Sequence, residues 1–162
     1  HVGARLMLGA LAIEPPPREA EALALLGEVT KNPEITGSAS PAEIVDAWVL
    51  LGHAELIGSH ITQSQEAFGE ALKLNPQAVL ALVGSGELFY RSSRYSEAEA
   101  RFESALRSEP QNLPARIGIG KTWIALDSDS GHTTTLLRQR LDALGVACNA
   151  PQTSWRSICP CQ

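Results

Sequence analysis

An all-α solenoid built from repeated helical hairpins is the fold that this sequence predicts, on three observations. Residues 45–78 and 79–112 repeat one pattern at an interval of thirty-four residues, as stacked two-helix units do. Within each unit, apolar residues recur three and four positions apart, as on one face of a helix. Proline and turn residues separate the units at the same interval. The matching positions are Gly52 with Gly86, Phe68 with Phe102, Ala71-Leu72 with Ala105-Leu106, and Asn75-Pro76 with Glu109-Pro110.

The repeated unit also matches a known family in the order of its motif residues. It carries Trp48-x-x-Leu51-Gly52, then Phe68-x-x-Ala71, and ends at Pro76. This pattern resembles the tetratricopeptide repeat (TPR), although Glu55 stands where the family has Tyr and Ser64 where it has Ala. The resemblance implies a right-handed α-solenoid in which Gly52 and Gly86 let paired helices approach closely.

The same resemblance divides the chain into a repeat domain and a tail. The domain covers residues 1–146 in about four units, and residues 147–162 form an irregular tail that is expected to be disordered or vector-derived. In the first unit, Gly9, Leu25 and Asn32-Pro33 precede Gly52, Phe68 and Asn75-Pro76 by forty-three residues. That interval is one period plus an inserted loop of nine residues. The predicted units are 2–35, 45–78, 79–112 and 113–146, with the inserted loop at 36–44.

Local signals place the helices of the first three units. Glu14-Pro15-Pro16-Pro17 must end the first helix, because consecutive prolines forbid a continuous helix. Serine or threonine three residues before Glu or Gln predicts a capping box. Such pairs are Ser40 with Glu43, Thr62 with Gln65, and Ser96 with Glu99. The helices that follow from these signals are 18–31, 41–58, 62–74, 76–92 and 96–108.

The fourth unit begins with Asn112 as a helix cap, and its first helix is predicted to end near Leu126. Asp127–Gly131 is predicted as the loop, and His132–Leu144 as the partner helix. Gly145 then stops that helix.

Composition excludes several classes of function. The net charge is −5, and phosphate binding needs clustered Lys and Arg that the chain does not have, so we expect no nucleic-acid partner. No apolar run approaches the roughly 18 residues of a membrane span, so we expect no membrane insertion. Residues 2–13 lack a basic lead region and belong to a repeat, which argues against a signal peptide. A helical pattern from the start indicates a fragment of a longer protein. The compartment is therefore undetermined, with the cytoplasm slightly favoured.

The cysteines do not indicate a metal site or a disulfide framework. Cys148, Cys159 and Cys161 all lie in the last fifteen residues, whereas a disulfide framework or a zinc site would tie several elements together. We therefore expect free thiols and no metal.

One string resembles a nucleotide-binding loop but lacks its context. Residues 115–122 fit a relaxed P-loop pattern that ends in Gly120-Lys121-Thr122. A phosphate-binding loop follows a strand, and no strand pattern precedes Ala115. Gly120 lies thirty-four residues after Gly86, so the repeat already explains it. No His, Cys or Ser stands in a nucleophile constellation, and we expect no cofactor and no catalytic activity.

The resemblance to TPR domains further implies that the first helix of each hairpin lines a concave groove. One subfamily binds the acidic C-terminus of chaperones through a clamp of Lys and Asn. Val49, His53, Val83 and Glu87 occupy the matching places here, so that clamp is absent. The predicted groove has an apolar floor with a few charges, suited to an amphipathic helix or an extended peptide, with Tyr90 and Arg91 as anchors. The predicted lining residues are Val49, His53, Leu56, Val83, Glu87, Tyr90, Arg91, Ile117, Lys121 and Ile124.

The sequence therefore predicts a non-catalytic scaffold or adaptor that binds a peptide or a partner helix. The first alternative is a self-assembly module that forms homo-oligomers through the groove or through the open ends of the repeat array. The second is a helical accessory domain of an enzyme or a nucleotide-dependent regulator. A continuous apolar strip favours partner binding or self-assembly, because such strips rarely remain unused on a protein surface.

Overall fold

The described chain is a succession of α-helices. The structure is a computed structural model that describes residues 2–13, 19–130 and 139, and every regular element in these ranges is helical. The helices are α1 (Val2–Ile13), α2 (Glu19–Lys31), α3 (Pro33–Thr36), α4 (Pro41–Ile57), α5 (Ile61–Leu74), α6 (Val79–Arg91), α7 (Tyr95–Ser108) and α8 (Leu113–Ser130).

The helices stack as antiparallel hairpins in one continuous array. The first helix of a hairpin packs against the second in the pairs α1–α2, α4–α5 and α6–α7. Each second helix also packs against the first helix of the next unit, in the pairs α2–α4, α5–α6 and α7–α8. The first helices α1, α4, α6 and α8 contact one another in sequence. This arrangement is the predicted all-α solenoid.

Aromatic side chains on the second helices lie between glycines of two successive first helices. A Cβ built on Gly52 of α4 would lie 2.7 Å from the Phe68 ring, and one on Gly84 of α6 would lie 2.4 Å from the same ring. Phe102 is enclosed in the same way by Gly86 and Gly118. Such short distances leave no room for a side chain. Glycine is therefore needed on both sides of each phenylalanine.

The first unit uses a different residue for this contact than the sequence predicts. Leu26, which is fully buried, takes the place assigned to Leu25 and lies against Gly9. The residue that corresponds to Gly84 in the next helix is Leu50, which packs on the same core cluster as Leu26. Leu26 is smaller than Phe68, and Leu50 is larger than Gly84, so the total volume of the two contacting side chains is similar in both units.

The turns inside two hairpins are Schellman motifs with serine at the left-handed position. Ser59 and Ser93 have φ of 63° and 58°. After α4, the His60 N–H donates to the Glu55 carbonyl at 2.8 Å, and after α6, the Arg94 N–H donates to the Phe89 carbonyl at 2.8 Å. These six-to-one bonds define the motif. Glycine is the usual residue there, which is why sequence patterns missed both turns.

These turns also shift the starts of α5 and α7 relative to the predicted capping boxes. The N-caps are His60 and Arg94, and neither makes a side-chain capping bond. The boxes predicted at Thr62 and Ser96 are therefore wrong.

The segment between α2 and α4 is more helical than the predicted inserted loop at 36–44. A short helix, α3, ends at Thr36, and α4 begins at Pro41, the residue at which the predicted helix 41–58 begins. The Ser40 capping box is confirmed: the Glu43 N–H donates to Ser40 Oγ at 3.3 Å, and the Ser40 N–H donates to the Glu43 carboxylate at 2.9 Å. The extra residues thus lengthen α4 at its start.

Helix α6 begins later than predicted, and helix α8 ends later than predicted. Pro76 lies in a turn, and α6 begins at Val79. The Asn112 side chain accepts a bond from the Ala115 N–H at 3.0 Å, as expected of a cap for α8. Helix α8 continues to Ser130, so the loop predicted at 127–131 is wrong for residues 127–130. The predicted helix 132–144 and the cysteine tail lie outside the described residues, apart from Gln139.

Candidate partner-binding surface

The predicted groove residues fall on two neighbouring stripes of the first helices. We define the inner stripe as three sets of residues on the first helices. Each set repeats every thirty-four residues, and the sets begin at Asp46, His53 and Ile57. We define the flank as the positions that begin at Val49 and at Leu56. On the inner stripe lie Asp46, His53 and Ile57 of α4, Leu80, Glu87 and Arg91 of α6, and Pro114, Lys121 and Ala125 of α8. On the flank lie Val49, Leu56, Val83, Tyr90, Ile117 and Ile124.

Two residues of the flank are buried in the core and cannot contact a partner. Val49 is only 4% exposed and packs with Ala71 and Ala81, and Leu56 is buried in the cluster that holds Phe68. The flank of α4 faces α6. Small residues of α6 such as Ala81 let α6 pack closely enough to cover the flank of α4. The prediction that Val49 and Leu56 line the groove is therefore wrong.

The other flank residues, on α6 and α8, are more exposed than those on α4. Val83 and Tyr90 on α6 are half-buried, and the Tyr90 ring lies 5.7 Å from the Tyr95 ring at the start of α7. On α8, Ile124 is half-buried and Ile117 is 40% exposed. The predicted apolar floor is thus mostly part of the contact between successive first helices.

A polar cluster joins α4 and α6 on the inner stripe. Arg91 Nε donates to Glu87 Oε1 at 2.9 Å, and Arg91 Nη1 donates to the carbonyl of Leu56 at 3.4 Å. Arg91 therefore holds a carbonyl at the end of α4 and a carboxylate on its own helix at once. The guanidinium is held in place between two units.

His53 lies beside this cluster in a more apolar environment. Its ring meets the Phe68 ring edge-on, with centroids 5.1 Å apart. Burial, and then the positive charge of Arg91, lower the pKa of His53 below its ordinary value of 6.5, and Glu87 opposes this effect. The His53 ring therefore favours the neutral form.

The structure shows that Leu80 is an exposed apolar residue of the inner stripe, as Ile57 is; the sequence prediction missed Leu80. Leu80 is 61% exposed, although it lies one helical turn before Val83. Its position, seven residues before Glu87, was the available signal, because residues seven apart share a face of a helix. The stripe on α6 thus runs from an apolar to a charged end, from Leu80 through Glu87 to Arg91. Lys121 on α8 is half-buried.

The remaining motifs form no chemical site in the described part of the chain. Residues 115–122 lie within α8, and the buried Thr122 hydroxyl donates to the Gly118 carbonyl at 2.8 Å, so the string forms a helix instead of a phosphate loop. No group of three metal-ligating side chains occurs among the described residues. Of the described helices, none combines the length and the apolar character that crossing a membrane requires.

Comparison with known proteins supports the architecture. No family model matches the sequence, and no curated protein is significantly similar to it. Thirteen solved chains match in structure. One of them, the TPR domain of OM64 from Arabidopsis, superimposes with a TM-score of 0.64 at 21% sequence identity, over 75% of this chain and 93% of that domain. The stacked hairpins and this superposition together show that the chain has the fold of a TPR domain.

Proposed function

We propose that the chain is a non-catalytic interaction module that holds a partner protein on the inner stripe of α4, α6 and α8. The observation that carries this proposal is the pattern on α6, where the exposed Leu80 and the oriented Arg91 lie on one helix face. An aliphatic contact beside a fixed guanidinium suits a peptide that pairs an apolar side chain with an acidic or polar group.

The contacts between helices support a curved array with this stripe on its inside. Successive first helices contact one another, whereas the second helices α5 and α7 share no extensive contact in the described region. The more closely spaced layer of such an array lies on the inside of its bend. Solenoid proteins use that concave side for binding.

A selection from a random peptide library displayed on phage tests the proposal even though the natural partner is unidentified. We expect enriched peptides whose affinity falls about tenfold or more with Leu80→Glu or with Arg91→Ala, as for central interface residues. Lys73→Ala and Arg107→Ala are matched controls, because both side chains are exposed on second helices. Peptides that bind all four variants equally would place the site elsewhere.

Self-association is the rival use of the same surface. Sedimentation velocity at rising protein concentration distinguishes the two. A monomer at high micromolar concentration contradicts self-assembly, and an oligomer that Leu80→Glu dissociates contradicts binding of a different partner there.

A further inference from the structure

Three polar side chains form a row across the inner stripe, one on each of α4, α6 and α8. They are His53, Glu87 and Lys121, which lie thirty-four residues apart and are all half-buried. Glu87 accepts a hydrogen bond from Arg91 at 2.9 Å, so its charge is balanced. In the part of the chain that the structure describes, the side chains of His53 and Lys121 make no hydrogen bond or ion pair. The row therefore has an unbalanced positive charge at its α8 end.

The spacing of this row is set by how closely the first helices approach each other. The axes of packed helices lie about 8–10 Å apart. Gly84 of α6 lies against the His53 ring, since a Cβ built on it would be 3.2 Å from His53 Cε1. Helix α8 has Gly118 at the same position and contacts α6 directly. Successive members of the row are therefore about 8–10 Å apart.

Of the regular peptide conformations, polyproline II matches this interval best. It has three residues per turn and rises about 3.1 Å per residue, so side chains on one face recur every 9.3 Å or so. A β-strand repeats a face every two residues, at about 6.6 Å or 13 Å. An α-helix repeats a face after seven residues, at about 10.5 Å. A ligand in polyproline II can thus face all three helices in turn.

The chemistry of the surface also favours polyproline II over a helix. A helix that docks in a groove needs a continuous apolar floor, and here Val49 and Leu56 are already buried. Polyproline II makes no internal hydrogen bonds, so its carbonyls can accept bonds from the N–H groups of His53 and Lys121. Ile57 follows His53 by four residues and is 41% exposed, which gives a proline ring an apolar contact.

We propose that the inner stripe binds a proline-rich segment of a separate partner protein in the polyproline II conformation, with one acidic residue on Lys121. The residues three and six positions from that acid then face Glu87 and His53. This inference rests on the proposed function and names the class of partner. A single acid is expected, because Lys121 is the charge that the row leaves unbalanced and a second acid would meet Glu87.

The probe is a synthetic peptide of thirteen residues that repeats the triplet Ala-Pro-Pro, with aspartate in place of the central alanine. Because the aspartate is central, one flank crosses α6 and α4 in either chain direction. Fluorescence anisotropy with the full chain is expected to show saturable binding. The same peptide with asparagine at the centre should bind about tenfold more weakly, because a hydrogen bond between charged groups is lost.

A charge swap tests whether the acid lies on Lys121. In Lys121→Glu, the aspartate peptide should lose about tenfold in affinity or more, and a peptide with lysine at the centre should regain it. Lys73→Glu is the matched control, because Lys73 is exposed on a second helix, and it should leave the affinity unchanged. Both variants should keep the circular dichroism spectrum of the parent.

Further charges on the peptide test the interval of three residues. Aspartates added three residues to either side of the central one should weaken binding to the parent chain, because one of them meets Glu87. The same additions should strengthen binding to Glu87→Lys about tenfold. Aspartates added two residues to either side point to another face of the peptide, so both effects should be smaller.

Three results would overturn the inference. They are the absence of saturable binding of the probe, no recovery by the lysine peptide in Lys121→Glu, and equal effects of aspartates added at two and at three residues. The phage selection separates this inference from the proposed function. Selected peptides that depend on Leu80 and Arg91 but contain neither proline nor an acid would overturn the inference alone. A selection without any peptide that depends on the inner stripe would overturn both.

Discussion

The contact of Gly84 with the Phe68 ring gives the sharpest test of how the units pack. We consider the substitution Gly84→Ala. The new Cβ would lie 2.4 Å from the ring, which is about 1 Å short of the 3.4 Å at which ordinary van der Waals contact begins. Phe68 is fully buried, and Gly52 lies against its ring as well, so the ring has no free space to enter.

The expected change in the free energy of unfolding combines two opposing effects. Overpacking a core costs about 1–3 kcal/mol, and replacing glycine by alanine inside a helix returns about 1 kcal/mol. We therefore expect Gly84→Ala to lower the free energy of unfolding by up to about 2 kcal/mol. Gly69→Ala in α5 is the matched control, because a Cβ there meets nothing within 4 Å, and we expect it to raise this free energy by up to about 1 kcal/mol.

Urea denaturation followed by circular dichroism measures both effects, and a double-mutant cycle identifies their cause. By itself, Phe68→Leu should lower the free energy of unfolding. In the Gly84→Ala background it should relieve the overlap, because the smaller leucine leaves room for a side chain, as Leu26 leaves room for Leu50 at the first unit. We expect a favourable coupling of about 1–2 kcal/mol. Strictly additive losses, or a Gly84→Ala variant that is stabilised as much as the Gly69→Ala control, would refute the close approach.

Three further perturbations test the turns, the cap and the partly buried His53. Ser93→Gly should raise the free energy of unfolding by up to about 1 kcal/mol, since a left-handed φ strains a residue with a Cβ, and urea denaturation checks it. Ser40→Ala should lower that free energy by about 1 kcal/mol; because the Ser40 N–H and hydroxyl lower the pKa of Glu43, the loss should shrink in urea titrations as pH falls below the ordinary 4.5. His53 has a lowered pKa in the folded state, so the unfolded chain binds its proton first, and stability should fall as pH drops below 6.5. His53→Gln should remove this part of the slope of stability against pH.

Each of these three has an outcome that contradicts it. A destabilised Ser93→Gly would mean that the serine makes an interaction worth more than the strain. If the loss in the free energy of unfolding caused by Ser40→Ala did not change with pH, the charge of Glu43 would not contribute to the cap. An unchanged pH slope in His53→Gln would show that other groups govern stability below pH 6.5.

The sequence by itself determined the order and spacing of the hairpins. The interval of thirty-four residues and the apolar stripes depend on contacts within one unit or between adjacent units, so they appear directly in the pattern of residues. The requirement for Gly52 and Gly86 could be predicted for this reason, and so could the Ser40 cap, which involves residues only three apart.

The tertiary structure decided the surfaces and the ends of the helices. Whether Val49 is exposed depends on how closely α6 approaches α4, and the role of Gly84 depends on a phenylalanine in the preceding unit. The turns at Ser59 and Ser93 depend on a left-handed backbone that serine does not signal. Exposure and backbone strain are set by neighbours in space, and residues that a local pattern treats alike, such as Val49 and Ile117, therefore differ in burial.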